Sequence, residues 1–229
     1  MLAIERRNEI LMKLQAERRV VVSELSQLYD VSEETIRRDL EKLVNEGVAI
    51  KSYGGAVINE NANLEVPFNI RKNYNVIGKQ KIAEQIAAMV KDGESLMLDA
   101  SSTAVYIAKA LKEKKNLTVI TNSIEIIVEL MDMPEWKVLS TGGLSREGSF
   151  ALVGPQTDKM LKSYHVDKAV ISCKGFDLES GITDSDELHA NNKITMLGAA
   201  GKKILAVDKS KFDKTAFTAI GALDDITTV

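Results

Sequence analysis

The chain has 229 residues, of which 45% are apolar and 28% are charged, and its formal net charge at pH 7 is −3. This length allows one large domain, or a small domain and a medium one, since domains usually hold about 100–200 residues. The composition is that of a folded globular protein and excludes a disordered or fibrous one. The slight negative charge argues against nonspecific coating of nucleic acid, but it leaves room for a local basic face.

The sequence pattern predicts neither a secretory signal nor a membrane span. The first residues, MLAIERRNEILMKLQAERR, carry charges every few positions and lack the apolar stretch of a secretory signal. No apolar run approaches the roughly 18–20 residues of a membrane span. We therefore expect a cytoplasmic protein. Cys173 is the only cysteine and the histidines are His165 and His189, so an intrachain disulfide is excluded and we expect neither a metal site nor a cofactor.

The first 57 residues predict three helices and a hairpin. The first helix spans 3–16, with an apolar stripe of Ile4, Ile10, Leu11 and Leu14. The second opens at Ser23 and the third at Ser32, since serine caps helices well. Only a short turn separates these two helices, and helix, tight turn, helix is the arrangement that reads DNA. After Gly47, the run VAIKSYGGAV predicts a small β-hairpin, or wing.

The third helix has one apolar face and one polar face. At about 100° per residue, four apolar residues gather on the side that must face the core; these are Ile36, Leu40, Leu43 and Val44. Arg38 falls opposite them and is displayed outward. Asp39 lies on a flank of the apolar stripe, where we expect it to brace the helix by pairing with Lys42 or with a neighbouring helix.

An outward arginine near the amino end of such a helix is suited to base edges in a major groove. Thr35 and Arg38 have this position, and an arginine side chain can donate two hydrogen bonds to one guanine. The full predicted set comprises Ser32, Thr35, Arg37, Arg38, Lys42, Lys51 and Tyr53. Residues 1–57 carry nine basic and ten acidic side chains, so an ordinary solvated face of a small protein-binding domain stays an alternative.

The composition changes near residue 57. The asparagine-rich segment 58–78 predicts a linker between a domain at 1–57 and one at 79–229. The predicted strands of the second domain are 95–99, 117–121, 136–140, 168–173 and 203–208. Its predicted helices are 79–91, 103–113, 123–132, 155–163 and 186–198. Strands that are apolar on both faces and alternate with helices predict an α/β domain with a mostly parallel sheet.

Polar or glycine clusters follow these strands directly. They are DASST, TNS, TGG, KGFD and DKSK, and in a parallel sheet they share the carboxyl edge, where such sheets bind ligands. At DASST a strand is followed by a helix whose first residues carry hydroxyl groups, and this pattern predicts a phosphate cradle, that is, a phosphate-binding site. Taken singly, each cluster also fits a cap or a turn. The full predicted ligand-binding set comprises Asp99, Ser101, Ser102, Thr103, Asn122, Gly142, Gly143, Lys174, Asp177 and Lys211.

Within this set, the charged side chains have different expected roles. Lys174 or Lys211 would balance the charge of a phosphate, and Asp99 and Asp177 would accept hydrogen bonds from sugar hydroxyls.

The N-terminal residues resemble a known family. The spacing of Arg6, Ile10, Leu14, Ser32, Thr35, Ile36, Arg37, Arg38, Asp39 and Leu40 resembles the helix-turn-helix signature of the DeoR family of bacterial transcriptional regulators. The run YGGAV resembles that family's wing. The resemblance implies a winged helix-turn-helix domain that binds operator DNA, usually as a repressor.

The resemblance continues into the second domain. Arg71, Lys79, Ile82, Ala83, Asp99 with its hydroxyl cluster, TNS, TGG, Gly154 and DKSK are similar to the DeoR sensor domain, whose fold is like that of ribose-phosphate isomerases. This implies a phosphorylated sugar or related metabolite as effector. The loop DASSTA departs from the glycine and threonines of many members. Members also usually continue beyond DDITTV, so the resemblance implies a chain truncated at Val229.

The leading function is therefore a sugar-phosphate-responsive repressor of carbohydrate-metabolism genes, with no enzymatic activity and no membrane partner. We expect a dimer or tetramer, because paired recognition helices must span about one turn of duplex. One alternative is an isomerase or hydrolase, with Asp99 or Asp177 as general base and Lys211 polarising a carbonyl. A protein-binding adaptor, without salt-dependent DNA affinity, is the other.

Overall fold

The computed structural model describes residues 2–59 and 68–229, with the side chains of residues 15, 16 and 70 excepted. The chain divides into two compact units, Met1–Tyr74 and Asn75–Val229.

The first unit combines helices with a small antiparallel sheet. Its elements are α1 (Ala3–Glu17), β1 (Arg19–Val21), α2 (Val22–Tyr29), α3 (Glu33–Asn45), β2 (Ala49–Ser52), β3 (Gly55–Ile58) and α4 (Phe68–Asn73). The predicted hairpin is confirmed as β2 and β3, and β1, which was not predicted, adds to it in the order β1-β3-β2. A Cβ atom on Gly55 would lie 1.9 Å from the Val20 carbonyl oxygen, so this close strand approach requires glycine.

The core of the first unit follows the predicted helical periodicity. Leu11 and Leu14 of α1 are buried together with Ile36, Leu40 and Leu43 of α3. Ile4 is an exception, because its side chain is 59% exposed although it was placed on the apolar stripe. It lies about two turns before Leu11, at the end of α1 that the core does not cover.

A buried ion pair joins α1 to α3. Arg6 Nε lies 2.6 Å from Asp39 Oδ2, and Arg7 Nη1 lies 3.7 Å from Asp39 Oδ1. Arg6 and Asp39 are both less than a tenth exposed. Of the two expected partners of Asp39, the structure therefore selects the neighbouring helix over Lys42.

The second helix starts one residue before the predicted cap, Ser23. Helix α2 begins at Val22, and its N-cap residue Val21 makes no side-chain capping bond. The Val22 N–H instead donates to the Gly54 carbonyl oxygen in the β2–β3 turn, at 2.8 Å. A hydrogen bond to the hairpin turn therefore satisfies an N–H group at the start of α2, the helix end that Ser23 was predicted to cap.

Part of the predicted linker at 58–78 is helical. Residues 60–67 lie outside the described residues, but α4 and the start of the next helix, α5 (Val76–Met89), fall within the segment. Asn75 precedes α5 with φ 49°, and Gly78 packs so tightly against it that a Cβ atom would lie 2.5 Å from Asn75 Nδ2. Asn75 and Gly78, which belong to the segment predicted as a linker, therefore lie at the start of a helix.

The second unit is α/β. After α5, its elements are β4 (Ser95–Leu98), α6 (Ser102–Ala110), β5 (Thr118–Thr121), α7 (Ile124–Leu130), β6 (Lys137–Ser140), β7 (Leu144–Arg146), β8 (Ala151–Val153), α8 (Pro155–Lys162), β9 (Val166–Ile171), β10 (Gly175–Asp177), β11 (Gly181–Asp184), α9 (Glu187–Gly198), β12 (Ala200–Leu205) and β13 (Thr218–Gly221).

A five-stranded sheet forms the centre of this unit. Its order is β12-β9-β4-β5-β6, and every neighbouring pair is parallel. Leu96, Met97 and Leu98 of the central strand are fully buried, which confirms the prediction of strands that are covered on both faces. The other strands form an antiparallel sheet, β10-β11-β13, and a β7–β8 hairpin.

Replacing Asp39 with alanine should destabilise the first unit by about 3 kcal/mol, because Arg6 would keep its buried charge and lose its carboxylate. The matched control is Lys13→Ala, which removes an exposed pair with Glu17 and should cost less than about 1 kcal/mol. Hydrogen exchange of the α1 and α3 amides, followed by mass spectrometry, measures both changes. Equal loss of protection in the two variants would contradict the bracing role of Asp39.

Candidate functional site

Helix α3 presents two arginines to solvent. Ser32 caps the helix by accepting the Thr35 N–H at 3.2 Å, and its hydroxyl lies 2.9 Å from that of Thr35. The Arg38 side chain is 75% exposed, so its predicted outward orientation is confirmed. The same face therefore carries a fixed serine–threonine pair and an arginine that is free of the core.

Each arginine pairs with an acid one turn earlier. Arg37 Nη2 lies 2.6 Å from Glu33 Oε2, and Arg38 Nε lies 3.3 Å from Glu34 Oε1. Exposed pairs of this kind contribute about 0.2–1 kcal/mol each. Either guanidinium group can therefore leave its carboxylate and bind a phosphate or a base edge with only a small loss of free energy.

The remaining predicted DNA-binding residues lie on α3 and on the wing. Lys42 is exposed on α3, Lys51 is exposed on β2, and Tyr53 is fully exposed in the turn before Gly54. Thr35 alone of the predicted set is half-buried. The predicted set thus lies on a helix and the hairpin that follows it directly, and its contact with DNA stays a prediction.

The second unit has its polar residues at the carboxyl edge of the parallel sheet. Asp99 follows β4, Asn122 follows β5, Gly142 follows β6 and Lys174 follows β9, while Lys211 comes after β12. Because all five strands run in the same direction, the strand ends that these residues follow lie at one edge of the sheet. This edge is called the sensor edge below.

Asp99 ties the ends of two central strands together. Its Oδ1 accepts the Ser101 N–H at 3.2 Å and its Oδ2 accepts the Ser172 N–H at 2.9 Å. Only 1% of Asp99 is exposed. The side chain thus holds the loops after β4 and β9 in place, which leaves it little capacity for sugar hydroxyls.

The hydroxyl cluster opens helix α6. Ser101 is the N-cap residue and accepts the Ala104 N–H at 3.0 Å, while Ser102 and Thr103 lie buried in the first turn. The first N–H groups of a helix have no partner within it, and the helix dipole favours an anion there. The phosphate cradle stays a prediction, with Ser101 serving mainly as the cap.

A buried lysine that the sequence did not indicate lies beside Asp99. Lys193 of α9 donates to Asp184, the last residue of β11, and its Nζ lies 3.5 Å from Asp99 Oδ2. Lys193 sits between Ala190 and Met196 on the buried side of the helix. A charged residue within an apolar helical stripe is the signal that could have identified it.

The pKa values of this cluster are shifted by burial and by charge. Burial alone would raise the pKa of Asp184, but the charge and hydrogen bond of Lys193 outweigh it and lower this pKa to about 2. Burial would lower the pKa of Lys193, yet Asp184 and Asp99 raise it above its usual range. The Asp184 carboxylate and the Lys193 ammonium group are therefore both charged at neutral pH.

Two further lysines act on the same cluster. Burial raises the pKa of the Cys173 thiol to about 11, and the positive charges of Lys193 and Lys211 partly oppose this. The charge of Lys174 helps to lower the pKa of Asp184. The sensor edge therefore concentrates positive charge around its buried carboxylates.

The glycine turn after β6 contacts helix α8. Gly142 has φ +62° and its carbonyl oxygen accepts the Thr157 hydroxyl at 2.7 Å. Gly143 has φ +120°, and a Cβ atom there would lie 2.2 Å from Thr157 Oγ1. Gly143 is thus required for packing, whereas the space around Gly142 is open.

Asp177 does not join the other predicted ligand-binding residues. Its Oδ1 accepts the N–H groups of Glu179 and Ser180, both at 2.9 Å, and the bond from Ser180, followed by that from Glu179, lowers its pKa. Asp177 pairs with Gly181 at the turn of the β10–β11 hairpin, while Gly175 and Thr183 pair at the end nearer Lys174. The strand β10 carries Asp177 away from the sensor edge, a placement that was missed because β10 was not predicted.

Comparison with known families covers almost the whole chain. Residues 6–62 match the DeoR-like helix-turn-helix domain, and residues 74–229 match the DeoR C-terminal sensor domain. The chain belongs to the DeoR family.

Relatives within the DeoR family are similar over nearly their full length. An uncharacterized HTH-type transcriptional regulator, YulB of Bacillus subtilis, is 42% identical over 99% of this chain and 87% of its own. The L-fucose operon activator of Haemophilus influenzae is 37% identical over 91% of this chain and 83% of its own. The transcriptional repressor AccR of Agrobacterium fabrum is 29% identical over 97% of this chain and 86% of its own.

One solved structure shares the fold over much of this DeoR-family chain. The delta subunit of eIF2B from Chaetomium thermophilum matches with a TM-score of 0.51 and 17% identity, over 71% of this chain and 57% of that one. Ribose 5-phosphate isomerase from Methanocaldococcus jannaschii matches with a TM-score of 0.44 and 22% identity, over 60% of this chain and 55% of that one.

Across residues 2–59 and 68–229, no helix has both the length and the apolar character needed to span a bilayer. The same residues contain no group of three or more histidine, cysteine or acidic side chains placed to hold a metal ion.

Asp184→Asn should remove an acid-sensitive part of the stability of the second unit. The pKa of Asp184 is about 2 in the folded chain against an ordinary value of 3.8, so its carboxylate stabilises fully above about pH 4. This contribution, about 2 kcal/mol, disappears as the pH falls towards 2. Urea denaturation followed by fluorescence of Trp136, the only tryptophan, should show a gap between wild type and variant that narrows below pH 4.

The exposed carboxylate of Asp224 supplies the control for this measurement. Asp224→Asn should leave the free energy of unfolding close to wild type at every pH, since isolated surface changes usually stay within about 0.5 kcal/mol. A gap for Asp184→Asn that is constant with pH would contradict the depressed pKa.

Proposed function

We propose that this DeoR-family regulator represses carbohydrate-metabolism genes from the cytoplasm, as a homo-oligomer whose operator affinity depends on a phosphorylated sugar. The observation that carries the proposal is the pairing of two features in one chain. One unit displays Arg38 on an exposed helix, and the other gathers lysines and a hydroxyl-capped helix at the sensor edge.

The DNA-binding part of the proposal rests on α3. Arg38 and the half-buried Thr35 lie in the first half of the helix, where side chains reach base edges in a major groove. Arg37, Lys42 and Lys51 supply positive charge for phosphates, and Tyr53 lies at the tip of the wing. An oligomer follows from symmetry, because two recognition helices read two half-sites about one turn of duplex apart.

The effector part of the proposal rests on charge. The N-terminus of α6 and the positive charges of Lys174 and Lys211 favour an anion at the sensor edge. One relative is named an operon activator for L-fucose and another a transcriptional repressor, which supports a regulator linked to sugar use. Repression is the direction we propose for this chain.

A role as an enzyme is disfavoured by the state of the predicted bases. Both oxygens of Asp99 accept backbone N–H groups, and Asp177 closes a hairpin turn. A general base needs an oxygen within hydrogen-bond reach of the substrate. We therefore propose a sensor that does not turn its ligand over, and incubation with pentose and hexose phosphates tests this, since conversion at enzymatic rates would refute it.

Effector and operator would be linked through a coupling free energy, which is typically about 1–3 kcal/mol. The direct test measures binding of the full chain to the DNA upstream of its own gene by fluorescence anisotropy, with and without a panel of sugar phosphates. Affinity should fall steeply with salt, because phosphate contacts release counterions. Binding that is insensitive to salt would favour a protein-binding adaptor instead.

Arg38→Ala should reduce discrimination between operator and unrelated DNA by about 1–3 kcal/mol, the value of a bidentate base contact. Lys42→Ala is the matched comparison on the same helix: it should weaken binding to all sequences and reduce the salt slope by about one. Anisotropy titrations with both DNAs measure the difference. Unchanged discrimination in the Arg38 variant would remove this residue from base reading.

Lys211→Ala should weaken binding of the sugar phosphate and leave the affinity for DNA, measured without effector, unchanged. The lysine supplies positive charge to the sensor edge and lies in the other unit from the DNA-binding helix. Isothermal titration with the most responsive sugar phosphate measures the first quantity, and Lys209→Ala, an exposed lysine two residues earlier, is the control. Equal effector affinity in the Lys211 variant and the wild type would show that Lys211 has another role.

A further inference from the structure

Two buried asparagines of the second unit converge on one backbone oxygen. Asn122, directly after β5, and Asn192, in α9, each donate their Nδ2 group to the Leu152 carbonyl oxygen, at 3.0 Å and 3.1 Å. Asn122 is 2% exposed and Asn192 is 1% exposed. The two amide groups are therefore neighbours, although they come from distant parts of the sequence.

The amide oxygens of both residues have no hydrogen-bond donor. Within the described part of the chain, Asn122 Oδ1 and Asn192 Oδ1 are fully enclosed and accept no hydrogen bond. Buried polar atoms are nearly always satisfied, because leaving one unpaired costs its desolvation. Two such acceptors, on amide groups that share one backbone partner, indicate a group outside the chain that donates to them.

The pair belongs to the sensor edge. Asn122 is one of the residues that leave the carboxyl ends of the strands, and its carbonyl oxygen accepts the Leu152 N–H at 2.7 Å. Asn192 precedes Lys193, which lies 3.5 Å from Asp99. The strand β8, which contains Leu152, thus holds both asparagines, one after the end of β5 and the other next in sequence to Lys193.

The chemistry of the pair selects the kind of donor. An amide oxygen repels the oxygens of a phosphate, and the lysines nearby disfavour a cationic ligand. A neutral hydroxyl group satisfies both conditions. The lysines and the helix N-terminus fit the phosphate group of a phosphorylated polyol. The amide oxygens fit its hydroxyl groups.

We propose that Asn122 and Asn192 accept hydrogen bonds from hydroxyl groups of the effector's carbon chain, which makes Asn192 a residue that determines effector specificity. The inference rests on the proposed function, because it assumes a phosphorylated sugar at the sensor edge. It assigns to Asn192, which lies in the middle of a helix, a role that complements the phosphate-binding groups. Effectors that lack the matching hydroxyls leave the oxygens unpaired and bind weakly.

The test compares Asn192→Leu, similar in size but without an acceptor, with wild type. Isothermal titration of the full chain uses D-ribose 5-phosphate, D-fructose 6-phosphate, glycerol 3-phosphate and inorganic phosphate as probes. For the sugar phosphate that binds wild type best, the variant should lose about tenfold or more in affinity. Its affinity for inorganic phosphate should stay within about twofold of wild type, because that ion does not reach the amide oxygens.

Asn191→Leu is the matched control, since Asn191 is the exposed neighbour on the same helix; it should leave both affinities at wild-type values. Trp136 fluorescence establishes that each variant is folded. Asn192→Ser keeps a hydroxyl but is too short to reach the same place, and it replaces the leucine variant if that one does not fold. The same tenfold loss is expected for the serine variant.

Three results are decisive. A selective loss for the sugar phosphate supports the inference. Equal losses for sugar phosphate and inorganic phosphate, or no loss in a folded variant, overturn it. If wild type binds none of the sugar phosphates more tightly than inorganic phosphate, the proposed effector class fails first, and the inference fails with it.

Discussion

The buried ammonium group of Lys193 lies between two carboxylates, and the sensor edge is built around this contact. Asp184 comes from the antiparallel sheet, Asp99 from the loop after the central parallel strand, and Lys193 from α9, so three separate parts of the unit meet at one charge cluster. Breaking such a cluster by removing one partner leaves a buried charge without compensation, which is far more costly than losing a surface pair. The positions of the strand ends, and of the loops that leave them, depend on the contacts among these three groups.

Ion pairs have two different uses in this chain. The pairs of Arg6 with Asp39 and of Lys193 with Asp184 are buried and fix one element against another. The pairs of Arg37 and Arg38 with the glutamates one turn earlier are exposed and weak, which leaves both guanidinium groups available to a partner. An overall negative charge is compatible with DNA binding for this reason, because the cations that matter are displayed while many acids are engaged within the protein.

The parallel sheet could be predicted from the sequence because each of its strands is an apolar run between helical patterns, a strong and local signal. The strands β7, β8, β10, β11 and β13 were missed because they hold only three or four residues and, except for β8, include polar or glycine positions. That omission also misplaced Asp177, since the sequence shows that it follows a strand but not that β10 carries it away from the edge. Lys193 could not be paired from sequence alone, because its partners lie in strands whose order only the tertiary structure establishes.

Burial of Cys173 has a chemical consequence for the whole chain. A thiol reacts with oxidants and alkylating agents as its thiolate, and a pKa of about 11 keeps that form scarce in neutral solution. The single cysteine of the sequence therefore behaves as a small apolar residue of the interior. Any reaction of this thiol with a labelling reagent at neutral pH would report that the carboxyl end of β9 had opened.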